Sequence, residues 1–77
     1  MEPLEAAIRV LGEEGVPLHW TRIQDLALRR GYLDPFEYPD VRKQVQTTLR
    51  ALLREGVVVK EAKGVYVLAE RADEPDA

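Results

Sequence analysis

The chain of 77 residues contains no cysteine and no serine, and His19 is its one histidine. The lack of cysteine excludes a disulfide framework and a thiolate metal site. With one histidine, no metal-ligand spacing and no glycine-rich phosphate loop, the sequence shows no converging set of catalytic groups. We therefore expect no enzyme, no cofactor, no metal site and no small-molecule substrate. We expect His19 to bond the backbone ahead of a helix.

Long apolar runs are also missing, because the longest uninterrupted one, at residues 65–69, has five residues. A membrane-spanning helix needs about 20, and no signal-peptide pattern opens the chain. The 45% hydrophobic and 32% charged content is typical of a folded domain with one small core. These features predict a small cytoplasmic protein of one domain without a membrane segment.

Positive charge is scarce overall, since 11 basic residues stand against 14 acidic ones and the net charge is −3. Its distribution along the chain is uneven. Residues 41–63 hold six basic and two acidic residues, a net charge of +4, whereas residues 1–40 carry −4 and residues 64–77 carry −3. This concentration of positive charge indicates a binding face more directly than the total does.

The stretch 40–55 has the clearest helical pattern in the chain. Its apolar stripe consists of Val41, Val45, Leu49 and Leu52, with Leu53 at the edge. Asp40 is a good N-cap, and Gly56 stands where a helix often ends. The opposite face, which has no acid, carries Lys43, Gln46, Thr47, Arg50 and Arg54. These residue types read base edges and hold phosphates, so we interpret 41–55 as a candidate recognition helix. We assign Arg42, on the flank, to solvation and core support.

Two shorter helices are predicted near 3–14 and 22–30. The first stripe is expected to consist of Leu4, Ala7, Ile8 and Leu11, and the second of Ile23, Leu26 and Ala27, with Leu28 pointing away. Glu13 and Glu14 are expected to be solvated. Residues 16–20 predict a short edge strand, and Thr21 with Gln24 matches a capping box at the start of the second helix.

Residues 31–40 contain two prolines and predict a connector without a helix. Four of its side chains are too apolar for a free linker, namely Tyr32, Leu33, Phe36 and Tyr38. We expect them to cap one end of the core. The alternative is that some of them form a contact patch.

After the third helix, residues 57–61 and 65–68 predict a hairpin with a bulge at Gly64. In this register Lys60 lies opposite Tyr66 and Val58 opposite Leu68, and Val58, Tyr66 and Leu68 face the core. The other face carries Val57, Val59, Val65 and Val67, while Lys60 and Lys63 lie near the tip. The acidic, aperiodic end predicts a domain at 1–69 and a disordered tail at 70–77.

Three helices, a short strand before the second and a basic hairpin after the third follow the order of a winged helix-turn-helix, an α+β fold that is mainly helical. The segment LEAAIRVLGEEGVPLHWTRIQDLALRRGYL and the closing GVYVL resemble the HARE-type helix-turn-helix domain. That family occurs in some chromatin proteins, restriction-enzyme fusions and the N-terminal domain of a bacterial RNA polymerase delta subunit. The resemblance covers about residues 4–68 and implies a winged-helix fold with a DNA- or transcription-linked role. The family offers no universal binding residues to carry over.

We therefore expect a small DNA-binding module, a transcription-associated regulator whose partner is duplex DNA. Its third helix would enter the major groove and its hairpin wing would contact the backbone. The candidate DNA-binding residues are Lys43, Gln46, Thr47, Arg50, Arg54, Lys60 and Lys63.

The alternative is a protein-interaction module, for example of the transcription machinery, with no direct DNA contact. Its interface candidates are Leu28, Val59, Val65 and Val67. These residues also suggest a weak homodimer or a contact with another protein. A scaffold part of a larger assembly is the third alternative.

Overall fold

The computed structural model describes residues 1–72 of the chain. Within them the helices are α1 at Pro3–Glu14, α2 at Trp20–Arg29, α3 at Val41–Arg54 and the short α4 at Ala69–Ala72. The strands are β1 at Leu18–His19, β2 at Val58–Ala62 and β3 at Val65–Leu68. They form one antiparallel sheet in the order β1–β3–β2. The architecture is therefore α+β and mainly helical, and none of the described helices is long and apolar enough to cross a membrane.

Helix α3 forms as its sequence pattern predicts. The carboxylate of Asp40 accepts a hydrogen bond from the Lys43 N–H and caps the first turn. At the other end, Gly56 has a positive φ, and the Val57 N–H donates to the carbonyl of Leu52. The predicted stripe of Val41, Val45, Leu49 and Leu52 is buried, and Leu53 is half-buried against it.

Helix α1 has the predicted bounds, but it is rotated about its axis relative to the predicted stripe. Its buried residues are Ala6, Ala7, Val10 and Leu11. Leu4 is 42% exposed, and Ile8 is only half-buried at the edge of the core. Small side chains at positions 6 and 7 let α1 approach both α2 and α3, and this wide contact turns the larger Leu4 toward solvent.

Helix α2 buries Ile23, Leu26 and Ala27 as predicted, but the capping box is wrong. The helix begins at Trp20, and its N-cap is His19, whose Nδ1 accepts a hydrogen bond from the Thr21 N–H. This leaves Gln24 Oε1 with no hydrogen-bond partner among the described residues. Leu28 does not point away either, since it packs half-buried against the core.

The hairpin has the predicted register, with Lys60 opposite Tyr66 and Val58 opposite Leu68. Val58, Tyr66 and Leu68 are buried in the core, as expected. Gly64 has the left-handed φ of 75° that the turn requires. The bulge is not at Gly64, however, because the register shifts on β2 between Lys60 and Ala62, and Ala62 pairs with Val65.

The outer face of the sheet differs from the prediction at one position. Val67 is 3% exposed, although it lies outside the main core cluster. It belongs to the middle strand, which has a hydrogen-bonded neighbour on each side, and α4 folds against both β2 and β3. Val59 and Val65 are half-buried, and Val57 is 36% exposed. The outer valines therefore do not form one continuous exposed patch.

The connector between α2 and α3 covers one end of the core, as expected for three of its four apolar side chains. Leu33 is buried, and Tyr32 and Tyr38 are half-buried against the core. Phe36 is 93% exposed, which contradicts the capping role predicted for it. Asp34 accepts a hydrogen bond from the Phe36 N–H, and the tight turn that results directs this ring outward.

Two acids predicted to be solvated instead join α1 to the end of α2. The guanidinium of Arg30 donates to Glu13 at 2.8 Å and to Glu14 at 2.7 Å. The hydroxyl of Tyr32 donates to the second oxygen of Glu13 at 2.6 Å, and Arg9 stacks over the Tyr32 ring. These bonds fix the connector where it leaves α2.

Residues 70–72 of the predicted tail belong to α4, which follows β3 directly and contacts β2 and β3. The predicted domain bounds, 1–69 and 70–77, stay a prediction. The remaining residues of the predicted tail, 73–77, lie outside the described part.

Candidate nucleic-acid interface

A surface groove of about 530 Å³ lies between α3, the hairpin and the start of α2. We call it the α3–hairpin groove, and its lining consists of His19, Trp20, Gln46, Leu49, Arg50, Lys60, Lys63, Gly64 and Tyr66. Four of the seven predicted DNA-binding residues therefore meet at one site, namely Gln46, Arg50, Lys60 and Lys63. No acidic residue among residues 1–72 lines the groove.

The other three predicted residues lie on α3 but outside the groove. Lys43, Thr47 and Arg54 are exposed along the helix face opposite its buried stripe, and we call them the outer row. Gln46 and Arg50 lie one turn apart beside the groove. The helix thus presents two adjacent polar surfaces, one facing solvent and one facing the hairpin.

Within residues 1–72, no acid forms an ion pair with the cations of this region. Among the described residues, the ion pairs involve Arg22, Arg29 and Arg30, which bond to Asp25, Glu13 and Glu14. None of the six basic residues between 41 and 63 forms an ion pair within residues 1–72. An anion can therefore bind them without displacing an existing carboxylate partner.

The hairpin tip is fastened to the start of α2. The Trp20 N–H donates to the carbonyl of Gly64 at 2.9 Å. A β-carbon at Gly64 would lie 2.9 Å from His19 Nε2 and 3.3 Å from Trp20 Cδ1, so both rings pack directly on this glycine. His19 Nδ1 lies 2.8 Å from the Thr21 hydroxyl, which holds the imidazole in place. These contacts set the position of Lys63, the neighbour of Gly64.

Aromatic rings form the part of the site that sequence reasoning missed. His19, Trp20 and Tyr66 all line the groove, and the His19 and Trp20 rings are 5.7 Å apart. The guanidinium of Arg42 lies 5.3 Å from the centre of the Trp20 ring, in a cation–π contact. Arg42 is exposed, so its assignment to core support is replaced by this contact. Nothing in the local spacing of the sequence pairs residue 20 with residue 42.

The strongest electrostatic perturbations lie elsewhere, where α1 meets the connector. The hydrogen bond from Tyr32, helped by Arg30, lowers the pKa of Glu13. The same bond raises the pKa of Tyr32, and the Glu14 and Glu13 carboxylates raise the pKa of Arg30. Burial raises the pKa of Tyr38. None of these four residues lines the groove, so the shifts describe how the fold is held together.

Three of the four predicted protein-interface residues are neighbours on the hairpin, where Val59 pairs with Val67, whereas Leu28 lies on α2, and none of the four is exposed. Leu28 packs against the core, Val67 is buried, and Val59 and Val65 are half-buried. The most exposed large apolar side chain of the described residues is that of Phe36, which lies in the connector before α3.

No protein-family model matches this chain, and neither a curated protein nor a solved structure matches it. The resemblance to the HARE-type domain therefore stays a hypothesis.

Proposed function

We propose that the chain is a winged-helix DNA-binding module, with α3 in the major groove of a duplex and the hairpin against the backbone. The observation that carries the proposal is the set of cations on α3 and the hairpin that form no ion pair within residues 1–72. Three of these cations, Arg50, Lys60 and Lys63, line one groove together with Gln46, and no acid of residues 1–72 lines it. The first 40 residues, in contrast, hold acids and arginines that pair with each other. On this proposal the protein binds rather than catalyses.

The order of the elements supports the winged-helix assignment. A hairpin follows directly after α3, and its second strand pairs with the short strand that precedes α2. This pairing holds the hairpin beside the exposed side of α3, which is how a wing is placed beside a recognition helix. The connector of eleven residues between α2 and α3 is longer than the turn of a strict helix-turn-helix.

We assign base-edge contacts to α3, where Gln46 and Arg50 have the hydrogen-bonding groups that read adenine and guanine. Lys43 and the hairpin lysines, Lys60 and Lys63, would hold phosphates. One copy offers few contacts, so useful specificity needs a dimer or a partner protein, as in a transcription regulator. Because the whole chain has a net charge of −3, we expect a nonspecific dissociation constant near or above about 10⁻⁵ M at physiological salt.

Arg50→Ala tests the proposal against a variant with the same loss of charge, Arg29→Ala. Arg29 is exposed on α2 and paired with Asp25, whereas Arg50 lines the groove without an acidic partner. We expect Arg50→Ala to weaken duplex binding by about 1–3 kcal/mol if it reads a guanine, measured by fluorescence anisotropy. Arg29→Ala should leave the affinity almost unchanged. Equal effects of the two variants would show that only total charge matters and would remove the role of α3.

Phe36 supports a second candidate function, contact with a protein. A phenylalanine that is 93% exposed on a hydrogen-bonded turn is available to a second copy of the chain. We expect sedimentation velocity to show weak self-association that increases with concentration and is lost in Phe36→Ser. A wild-type protein that stays monomeric throughout the concentration series would rule out this self-association.

A further inference from the structure

The α3–hairpin groove has a composition that duplex contacts alone do not explain. Three aromatic residues line it, together with three cations and one amide side chain. A paired duplex keeps its bases stacked on each other, so it offers ridges and base edges but no free ring face. The aromatic lining therefore points to a ligand with an exposed ring.

The groove also has a suitable size and shape for part of a small ligand. Its volume of about 530 Å³ falls in the range of ligand-binding pockets, roughly 300–1,000 Å³. Leu49 and Tyr66 are nearly buried and form its apolar base, while Arg50, Lys60 and Lys63 are exposed. A flat apolar group can thus lie deep in the groove while an anionic group stays at the cationic rim.

The aromatic residues are held before any ligand binds. His19 is fixed by the Thr21 hydroxyl, and Trp20 is fixed by its backbone bond to Gly64 and by the guanidinium of Arg42. A preorganised stacking surface loses less entropy when a ring binds to it than a mobile one does. This rigidity favours a role in binding, because support of the core alone needs no rigid ring at the edge of a cationic groove.

We propose that the α3–hairpin groove binds an unpaired nucleotide, with its base stacked on the His19–Trp20 pair and its phosphate held by Arg50, Lys60 and Lys63. Gln46 carries both a donor and an acceptor for the edge of the base. Aromatic stacking combined with a cationic groove is the general mode by which single strands are bound without strong sequence preference. The inference rests on the proposed function in that Lys60 and Lys63 contact phosphates in both. It adds a preference for single-stranded segments and frayed ends over closed duplex.

Trp20 is the one tryptophan of the chain, so its intrinsic fluorescence reports on the groove directly. The full chain is titrated with an oligothymidylate of eight nucleotides, a blunt duplex and thymidine monophosphate, with anisotropy of labelled strands measured in parallel. We expect the single strand to quench Trp20 and to bind about tenfold more tightly than the duplex at the same salt concentration. Tighter binding of the strand than of the monophosphate would assign the groove to nucleic acid, and equal affinity would assign it to a free nucleotide. Both outcomes support the shared chemistry.

Gln46→Ala and Gln44→Ala form a matched pair of variants, since both remove a glutamine side chain of α3 but only Gln46 lines the groove. We expect Gln46→Ala to weaken single-strand binding severalfold and Gln44→Ala to leave it unchanged. Duplex binding without Trp20 quenching, with a single strand no tighter than the duplex, would overturn this inference while the proposed function stands. Binding of neither nucleic acid would overturn both.

Trp20→Phe, which keeps a stacking ring, should retain single-strand affinity, whereas Trp20→Leu should lower it about tenfold.

Discussion

Gly64 is the residue on which the geometry of the groove depends most directly. Its φ of 75° is one that side chains with a β-carbon rarely adopt, and a β-carbon there would press on the His19 ring. Gly31 has a similar φ of 72°, but a β-carbon there would meet no atom within 4 Å. A comparison of substitutions at these two glycines therefore separates the effect of backbone strain from that of side-chain packing.

We predict that Gly64→Ala destabilises the protein more than Gly31→Ala does. Backbone strain at a positive φ costs about 1–3 kcal/mol and applies to both variants. Only Gly64→Ala must also displace His19 and Trp20, because its β-carbon would lie too close to both rings. The displacement costs stability because the Thr21 hydroxyl holds His19 in place. Urea unfolding of the two variants measures the difference. Equal losses of stability would mean that the rings do not pack on Gly64 as described.

The Glu13 carboxyl makes the stability of the protein depend on pH in the acid range. The pKa of Glu13 is lowered in the folded chain, mainly by the Tyr32 hydroxyl and also by Arg30. A lowered carboxyl pKa contributes stability that is present above the unfolded pKa, about 4.3, and is lost as the pH falls through the folded value. Tyr32→Phe removes the hydroxyl bond, so we expect a smaller drop in Tm between pH 6 and pH 3 than in the wild type. The aromatic ring and its contact with Arg9 remain, which isolates the hydroxyl.

The raised pKa of Tyr32 makes stability depend on pH in the alkaline range, and here stability is lost as the pH rises. Its contribution to stability is complete below the unfolded pKa, about 10, and is lost as the pH rises through the folded value. Tyr32→Phe should therefore also reduce the fall in Tm above pH 10. An unchanged Tm profile at both extremes would show that the bond to Glu13 does not form in solution.

At the scale of elements, α1 provides a test of the observed rotation. Leu4 and Leu11 are seven positions apart on the same predicted stripe, yet Leu11 is 1% exposed and Leu4 is 42% exposed. We predict that Leu11→Ala lowers the free energy of unfolding by about 2–5 kcal/mol, because it opens a cavity in the core. Leu4→Ala should change it by about 0.5 kcal/mol or less. Chemical denaturation of the two variants measures both values. Similar losses of stability would contradict the observed rotation of α1 and favour the predicted stripe.

The elements differ in how far their sequence determines them. Helix α3 was predictable because its apolar residues occupy one narrow face, and the hairpin register followed from two β-branched runs around Gly64. In α1 the apolar residues cover a wider arc, so the buried side depends on what packs against it, which the local pattern does not contain. The cap of α2 was missed because His19 belongs to a strand whose partner, β3, lies more than 40 residues later.

The candidate site was predictable only as far as it lies on a single element. The unpaired cations of α3 and the hairpin are visible in the local charge balance, and they indicated a binding face. The groove itself joins three separate elements, and its aromatic lining comes from the start of α2 and the middle of β3. Stacking of Arg42 on Trp20 likewise depends on the packing of α2 against α3. Such convergence is a property of tertiary packing.

At the scale of the whole molecule, the separation of charge decides how the protein approaches an anionic partner. Acids of α1 and α2 neutralise Arg22, Arg29 and Arg30, while the cations of α3 and the hairpin form no ion pair within residues 1–72. A chain with a net charge of −3 can therefore still present a positive face, although its long-range attraction to DNA is weak. Binding should depend on short-range contacts at this face, which salt weakens in proportion to the phosphates neutralised.

Salt should weaken duplex binding through the phosphate contacts of Lys60 and Lys63. Each lysine that holds a phosphate releases about one counterion, so Lys60→Ala and Lys63→Ala should each reduce the slope of log K against log salt by about one. Thr47→Ala, which carries no charge and lies on the outer row of α3, should leave the slope unchanged even if it alters affinity. The slopes are measured by anisotropy titrations at four salt concentrations between about 50 and 200 mM, where the affinity is expected to fall steeply with salt. Slopes that stay the same in both lysine variants would place the backbone contacts away from the hairpin, since Lys60 and Lys63 are the lysines that line its groove.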